Sequence, residues 1–262
     1  MPFATASDGT RLAYEVTGDG PPLLLVAGQA NDRHIWAPVR DAFAARYRVV
    51  TFDHRGTGDS GKPDAPPYST RGFAADAIAV LDDLRIARAH AYGMSMGGRI
   101  GQWLGIDHAS RLGALVLGCT TPGNAHGVRR SPDIDPALLS GDPARMLPYL
   151  VTPAWAADNP GFLAEWGAWV AAHPVPPYAR QLHYLASEGH DAWDLLPRIT
   201  APTLLIHGSD DEMNVVANAH LLAERIAGAE LHIIPGARHI YFWDHAEESN
   251  RVVGEFLARH AF

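Results

Sequence analysis

The apolar positions of this chain fall into two alternating patterns. Continuous or near-continuous apolar stretches at Leu23 to Ala27, Tyr47 to Phe52, Arg88 to Tyr92, Leu112 to Leu117, Pro202 to His207 and Glu230 to Ile234 read as short strands buried in a sheet. Leu12 to Val16 alternates apolar and polar residues, the mark of a strand with one face covered. Between these stretches, residues 34–45, 69–84, 96–106, 215–227 and about 244–259 carry apolar residues at helical spacing. Strands that alternate with helices predict an α/β fold, with a mostly parallel central sheet and helices on both faces.

The alternation breaks between Thr121 and Arg198. Proline becomes frequent, no strand pattern survives, and four of the seven tryptophans (Trp155, Trp166, Trp169 and Trp193) fall in this stretch. We therefore expect a core formed by residues 1–120 and 199–262, with residues 121–198 as a helical cap, or lid, over the sheet edge. The aromatic residues there have two readings: a small core for the cap itself, or the lining of an apolar substrate pocket, with Trp155, Trp166 and Trp169 as candidates. An apolar lining would favour longer substrate chains, at up to about 0.8 kcal/mol per buried methylene.

Composition narrows the function. With 262 residues, 47% of them hydrophobic, the chain can bury a large core. A net charge of -8 without any Lys/Arg run argues against nucleic acid as a partner. The first residues lack the basic and apolar regions of a leader, and no stretch has the length of a membrane span, so a cytoplasmic protein with no membrane partner is expected. The single cysteine, Cys119, ends an apolar run and reads as a small buried hydrophobe.

Three places carry candidate chemistry. In Gly93-Met94-Ser95-Met96-Gly97 a serine stands at a turn between strand and helix, flanked by glycines that let it adopt a strained backbone and project its hydroxyl. A serine nucleophile needs a base, and that base needs a carboxylate to orient it. Acids follow a strand at His207-Gly208-Ser209-Asp210-Asp211-Glu212, and a histidine follows the last strand at Gly236-Ala237-Arg238-His239. His232 and His245 compete with His239 on proximity, but serine, then acid, then histidine, each just past a strand end, favours His239. A fourth match, Gly56-Thr57-Gly58-Asp59-Ser60-Gly61, has dinucleotide-binding spacing, but it runs into Lys62-Pro63-Asp64-Ala65-Pro66-Pro67, which cannot open the required helix. No cofactor and no metal is expected.

Together, Asp53-His54-Arg55-Gly56-Thr57-Gly58-Asp59-Ser60 and Gly93-Met94-Ser95-Met96-Gly97-Gly98-Arg99-Ile100-Gly101-Gln102-Trp103 resemble the α/β-hydrolase-fold enzymes, in the branch of 3-oxoadipate enol-lactonases, bacterial esterases and cofactor-free haloperoxidases. The resemblance implies a catalytic triad of Ser95, Asp211 and His239, with Asp211 chosen over Asp210 as the fourth residue of a G-x-x-D stretch. Asp210 is then expected to satisfy backbone N–H groups in the turn. The family's oxyanion hole maps to the backbone N–H groups of Met96 and Gln29. Its usual His-Gly-x loop reads Ala27-Gly28-Gln29 here, so the histidine that helps hold that loop is missing. The implied activity is hydrolysis of a small carboxylic ester or lactone through an acyl-enzyme. The alternatives are a C–C bond hydrolase or perhydrolase using the same residues, and a ligand-binding receptor with little turnover.

Overall fold

The computed structural model describes residues 1–65 and 68–262; Pro66 and Pro67, part of the proline-rich run noted above, lie outside the described residues. Its sheet contains β1 (Phe3–Thr5), β2 (Arg11–Thr17), β3 (Pro22–Val26), β4 (Arg48–Phe52), β5 (Ala89–Met94), β6 (Leu112–Gly118), β7 (Thr203–Gly208) and β8 (Glu230–Ile234), in the order β1-β2-β4-β3-β5-β6-β7-β8. The pairings of β2 with β1 and β4 are antiparallel and the others are parallel. Three-residue β1 carries too few positions for a period to show, and the hydrophobic pattern did not predict it.

Helices α1 (Ala37–Ala44), α2 (Thr70–Asp83) and α3 (Met96–Asp107) come before β6. Residues 34–36 of the first expected helix belong instead to a 3₁₀ turn, Arg33–Trp36, whose N-cap is Asp32 and which hands over to α1 just ahead of Pro38. Between β6 and β7 lie α4 (Asp135–Ser140), α5 (Pro143–Leu150), α6 (Pro153–Asp158), α7 (Pro160–Ala172) and α8 (Pro177–Glu188), with an isolated bridge from Gly123 to Asp191. The prolines that break the regular pattern have a positional use here: α5 to α8 each begin on one, where the missing N–H costs nothing and the fixed φ suits a helix. The chain closes with α9 (Ala217–Arg225), α10 (Tyr241–Asp244) and α11 (Ala246–Arg259).

The continuous apolar runs resolve into two faces. Leu24 and Val26 pack with Phe73 and Val80 of α2, Ile100 and Leu104 of α3, and Leu222 of α9. Leu23 and Leu25 pack with Val39 and Phe43 of α1 and Val253 and Phe256 of α11. Each fully buried leucine in these strands stabilises the fold by about 1.5–3 kcal/mol.

Sheet order and register place the site. β3 lies between β4 and β5, so the chain switches direction across the sheet here, and the loops after β3 and β5 leave its carboxyl edge side by side, with Val26 opposite Gly93. Further along the same edge, Gly208 of β7 stands opposite Ile234 of β8, so the turns carrying Asp211 and His239 emerge together.

Candidate active site

Ser95 joins β5 to α3 with φ 57° and ψ −119°, a backbone conformation that L residues rarely adopt. The structure gives its flanking glycines a reason beyond flexibility. A Cβ on Gly93 would sit 2.1 Å from the carbonyl oxygen of Gly97, and one on Gly97 would sit 2.1 Å from that of Val26. Only glycine lets strand, turn and helix approach this closely. Ser95 N–H donates to Gly118 O at 2.9 Å, and Thr120 Oγ1 donates to Ser95 O at 2.7 Å, which fixes the turn from the neighbouring strand. Between Ala89 and Ile106, Ser95 is the one residue that is not buried. Met96 opens α3, so its N–H has no acceptor within the helix.

Asp211 is buried and receives four donors. Its Oδ1 accepts the backbone N–H groups of Met213 and Asn214, both at 2.9 Å, and its Oδ2 accepts Nδ1–H of His239 at 2.8 Å. His207 Nε2 lies 3.2 Å from Oδ2 and 2.5 Å from Asn214 O. A carboxylate and a carbonyl can only accept, so Nε2 of His207 and Nδ1 of His239 carry hydrogens. Burial works against the charge on Asp211, but His239 and His207 outweigh it and hold the carboxyl well below the usual carboxylate range. Asp210 is exposed, and its side chain takes the Ser209 hydroxyl at 2.7 Å. The expectation that Asp210 satisfies the turn's backbone is therefore corrected: Asp211 does so, because only the buried carboxylate faces the N–H groups of Met213 and Asn214. His232 and His245 bond Glu248 and Asp244, each at 2.8 Å.

Asn214 was not legible in the sequence. Its Nδ2 donates to Cys119 O at 2.6 Å and lies 3.5 Å from Ser95 Oγ, the one side-chain partner of that hydroxyl among the described residues. Ser95 and His239 line one cavity, without a direct hydrogen bond between them. Cys119 is fully buried, and burial pushes its thiol pKa well up, as in an inert structural cysteine.

The loop after β3 lacks the expected histidine, yet two buried histidines from elsewhere hold it. His54 Nε2 donates to Ala27 O at 3.0 Å. His183, on α8, accepts Ala30 N–H at its Nδ1 (3.2 Å) and donates Nε2–H to Arg55 O (2.8 Å). Ala30, at φ 54°, is itself in the left-handed region. Gln29 lines the Ser95 cavity, and its side-chain Nε2 is buried without a partner among the described residues.

That cavity, about 110 Å³, also presents Met94, Leu138, Met146, Leu150, Trp166, Val170, Met213 and Arg180. Trp166 and Arg180 also line an adjoining cavity of about 310 Å³, together with Trp169, His34 and His173. In this second cavity Trp169 is sandwiched between the two histidine rings, each 3.9 Å away, and its Nε1 donates to Asp32. Trp155 faces away, packing against Phe162 and Trp243 at 5.4 and 6.3 Å between ring centroids. Its place among the pocket candidates is corrected to the packing of α6 on α7 and α10. The lining is apolar on most sides but not throughout, because Arg180 interrupts it.

Comparison with known proteins agrees with this architecture. A protein of Azorhizobium caulinodans that carries the name carbamate hydrolase RutD is 34% identical over 251 residues, covering 92% of each chain. 3-Oxoadipate enol-lactonase 2 of Acinetobacter baylyi is 29% identical over 260 residues, covering 97% of this chain and 96% of that one. The crystal structure of the enol-lactonase from Burkholderia xenovorans superposes with a TM-score of 0.85 at 29% identity, covering 98% of this chain and all of the other. Residues 21–246 match the family model of the α/β-hydrolase fold, and the chain belongs to that family.

Proposed function

We propose that this protein is a serine hydrolase that cleaves a small carboxylic ester or lactone through an acyl-enzyme intermediate. The observation that carries this reading is the buried Asp211–His239 pair, 2.8 Å apart, opening onto the same cavity as a serine held at positive φ. With Nδ1–H committed to Asp211, His239 has Nε2 available to accept a proton. Ser95 Oγ transfers its proton to Nε2 as its oxygen bonds the substrate carbonyl carbon. The resulting oxyanion is held by the N–H groups of Met96 and Gln29. Collapse breaks the bond to the leaving alkoxide, which takes the proton from His239. Water then adds to the acyl-enzyme by the reverse sequence, releasing the acid and restoring Ser95.

The test is hydrolysis of p-nitrophenyl acetate and butyrate, with mass spectrometry after treatment with a fluorophosphonate. We expect turnover, a single label on Ser95, and loss of both in Ser95→Ala with the melting temperature retained. A label elsewhere, or a Ser95→Ala variant near wild-type rate, overturns the assignment. A second reading, cleavage of a carbamate by the same residues, is favoured by the name of the Azorhizobium relative. Parallel assays of aryl carbamates and lactones rank the two.

A further inference from the structure

Three arginines are buried among the described residues, and two of them meet carboxylates: Arg33 pairs with Asp53, and Arg55 with Asp76. Arg99, one turn into α3 from Ser95, is buried more deeply and has no ion pair among the described residues. Its Nη1 donates to Ser187 O and Ser187 Oγ of α8, both at 2.6 Å. Its Nη2 donates to Thr121 Oγ1 at 3.0 Å and faces Asn214 Oδ1 at 3.5 Å, while its Nε is buried without a partner. Glu188, the carboxylate whose charge favours the guanidinium from nearby, is taken by Arg130 and Asn124 at 2.9 and 2.6 Å. A cation held out of water against neutral acceptors alone is costly, and unpaired buried charge of this kind is commoner at functional sites than in plain cores. Burial pulls the pKa of Arg99 down to about 10, which still leaves it charged near neutral pH.

The contact with Asn214 leads to the nucleophile. An amide has a donor end and an acceptor end. With Oδ1 towards Arg99, Nδ2 faces the other way, where one of its two hydrogens goes to Cys119 O at 2.6 Å and the other is available to Ser95 Oγ, 3.5 Å away. Turning the amide over would set Oδ1 against two oxygens and Nδ2 against the donors of a cation. The Asn214 backbone is held separately, its N–H donating to Asp211 Oδ1 and its O accepting from His207 Nε2.

We infer that Arg99 is a positioning residue for the nucleophile: through Asn214 it keeps an amide N–H aimed at Ser95 Oγ, where that N–H steadies the oxygen as its proton leaves for His239. This rests on the reading of Ser95 and His239 as nucleophile and base. The proton passes from Oγ to Nε2 of His239 only. Asn214 keeps both of its hydrogens, and its contact to Oγ shortens as negative charge builds there and relaxes once the oxygen bonds the carbonyl carbon. Contacts that are long at rest and tighten in the transition state are usual for groups of this kind.

The experiment measures the rate at which a fluorophosphonate labels Ser95, read by mass spectrometry, because that rate reports on the nucleophile whatever the natural substrate is. Arg99→Gln and Asn214→Ala should each be labelled roughly tenfold to a hundredfold more slowly than wild type, as loss of a charge-assisted contact implies. The two are then combined in a double-mutant cycle. Because Arg99 acts through Asn214, Arg99→Gln should slow labelling by no more than about twofold in the Asn214→Ala background, whereas a purely structural loss would multiply. A rate near wild type in either single variant, or full multiplication of the two losses in the double variant, overturns the inference. If Arg99→Gln does not fold, the same cycle is run with Arg99→Lys, whose compact ammonium cannot span Ser187, Thr121 and Asn214 at once. A loss confined to the protein that keeps Asn214 then supports the inference, and no loss, or an equal loss in both backgrounds, overturns it. Wild-type protein that takes no label at Ser95 is a distinct result: it ends the reading of Ser95 as nucleophile and this inference with it.

Discussion

At the scale of single residues, Asp211 does two jobs that can be separated by measurement. Its Oδ2 faces His239 and His207 while its Oδ1 closes the turn on Met213 and Asn214. In Asp211→Asn the new amide nitrogen would face histidine donors, forcing His239 into the tautomer that cannot accept a proton from serine. A change of this kind costs on the order of 10⁴ in turnover in the serine-protease template. Because the turn also loses the carboxylate that buries there, we expect the melting temperature to drop with it. Asp210→Asn, on an exposed carboxylate that takes only Ser209 Oγ, should change both by little. Kinetics and thermal melting on the two variants check this, and the opposite ranking would move the acid role to Asp210. Asn214→Ala should leave Cys119 O without its side-chain donor, at about 1–3 kcal/mol for a buried unsatisfied group. Chemical denaturation reads that loss, and a variant as stable as wild type would show that the bond is not needed.

At the scale of elements, the loop after β3 depends on a helix far away in sequence. His183 of α8 bridges Ala30 N–H and Arg55 O, so the position of Gln29 is set partly by a residue beyond β6. His183→Ala should let this loop shift and lower kcat by about tenfold to a hundredfold, less than the 10²–10³ for outright removal of an oxyanion donor. KM should change less. His183→Gln offers an acceptor and a donor on one side chain and should restore part of kcat. Equal losses in the alanine and glutamine variants would mean that packing of the ring, and not the bridge, is what matters. The glycines of the elbow belong to this scale too, since Gly93 and Gly97 exist for the mutual approach of β5, α3 and β3.

At the scale of the whole molecule, buried neutral histidines make stability depend on acid. Burial drives the pKa of His54 down to about 4 and that of His183 down to about 3, and holds His190 well below its usual value. In the unfolded chain each takes up a proton below about pH 6.5, while in the folded protein it stays neutral. The unfolded state therefore binds more protons, and stability falls as pH drops from about 6.5 towards 4, by up to about 1.4 kcal/mol per histidine per pH unit. Asp53 and Asp76, whose pKa values burial raises, act in the opposite direction at the acid end of this range. Urea denaturation at pH 7.5, 6.5, 5.5 and 4.5 should show a steepening loss, and a flat profile would mean that these sites admit protons in the folded state.

Periodicity and spacing carried much of this protein. Strands β2 to β8, the helices flanking them, the serine elbow and the chain order of Ser95, Asp211 and His239 are all legible, because buried strands, helices and sharp turns impose local demands that residue types meet locally. β1 escaped because three residues on a sheet edge leave no period. The choice of Asp211 over Asp210 rested on family spacing; in the structure Asp211 turns inward to His239 and to the N–H groups of its own turn, while Asp210 is exposed. Asn214, His183, His207 and Arg180 were not legible at all. Each is placed by the register of parallel strands or by the packing of α8: Asn214 on Cys119 O, His183 on Ala30 N–H, His207 on Asp211, and Arg180 in the lining of the Ser95 cavity. An asparagine or arginine in one dimension looks like any other, and what it can bond is fixed only when strand register and helix packing choose its neighbours.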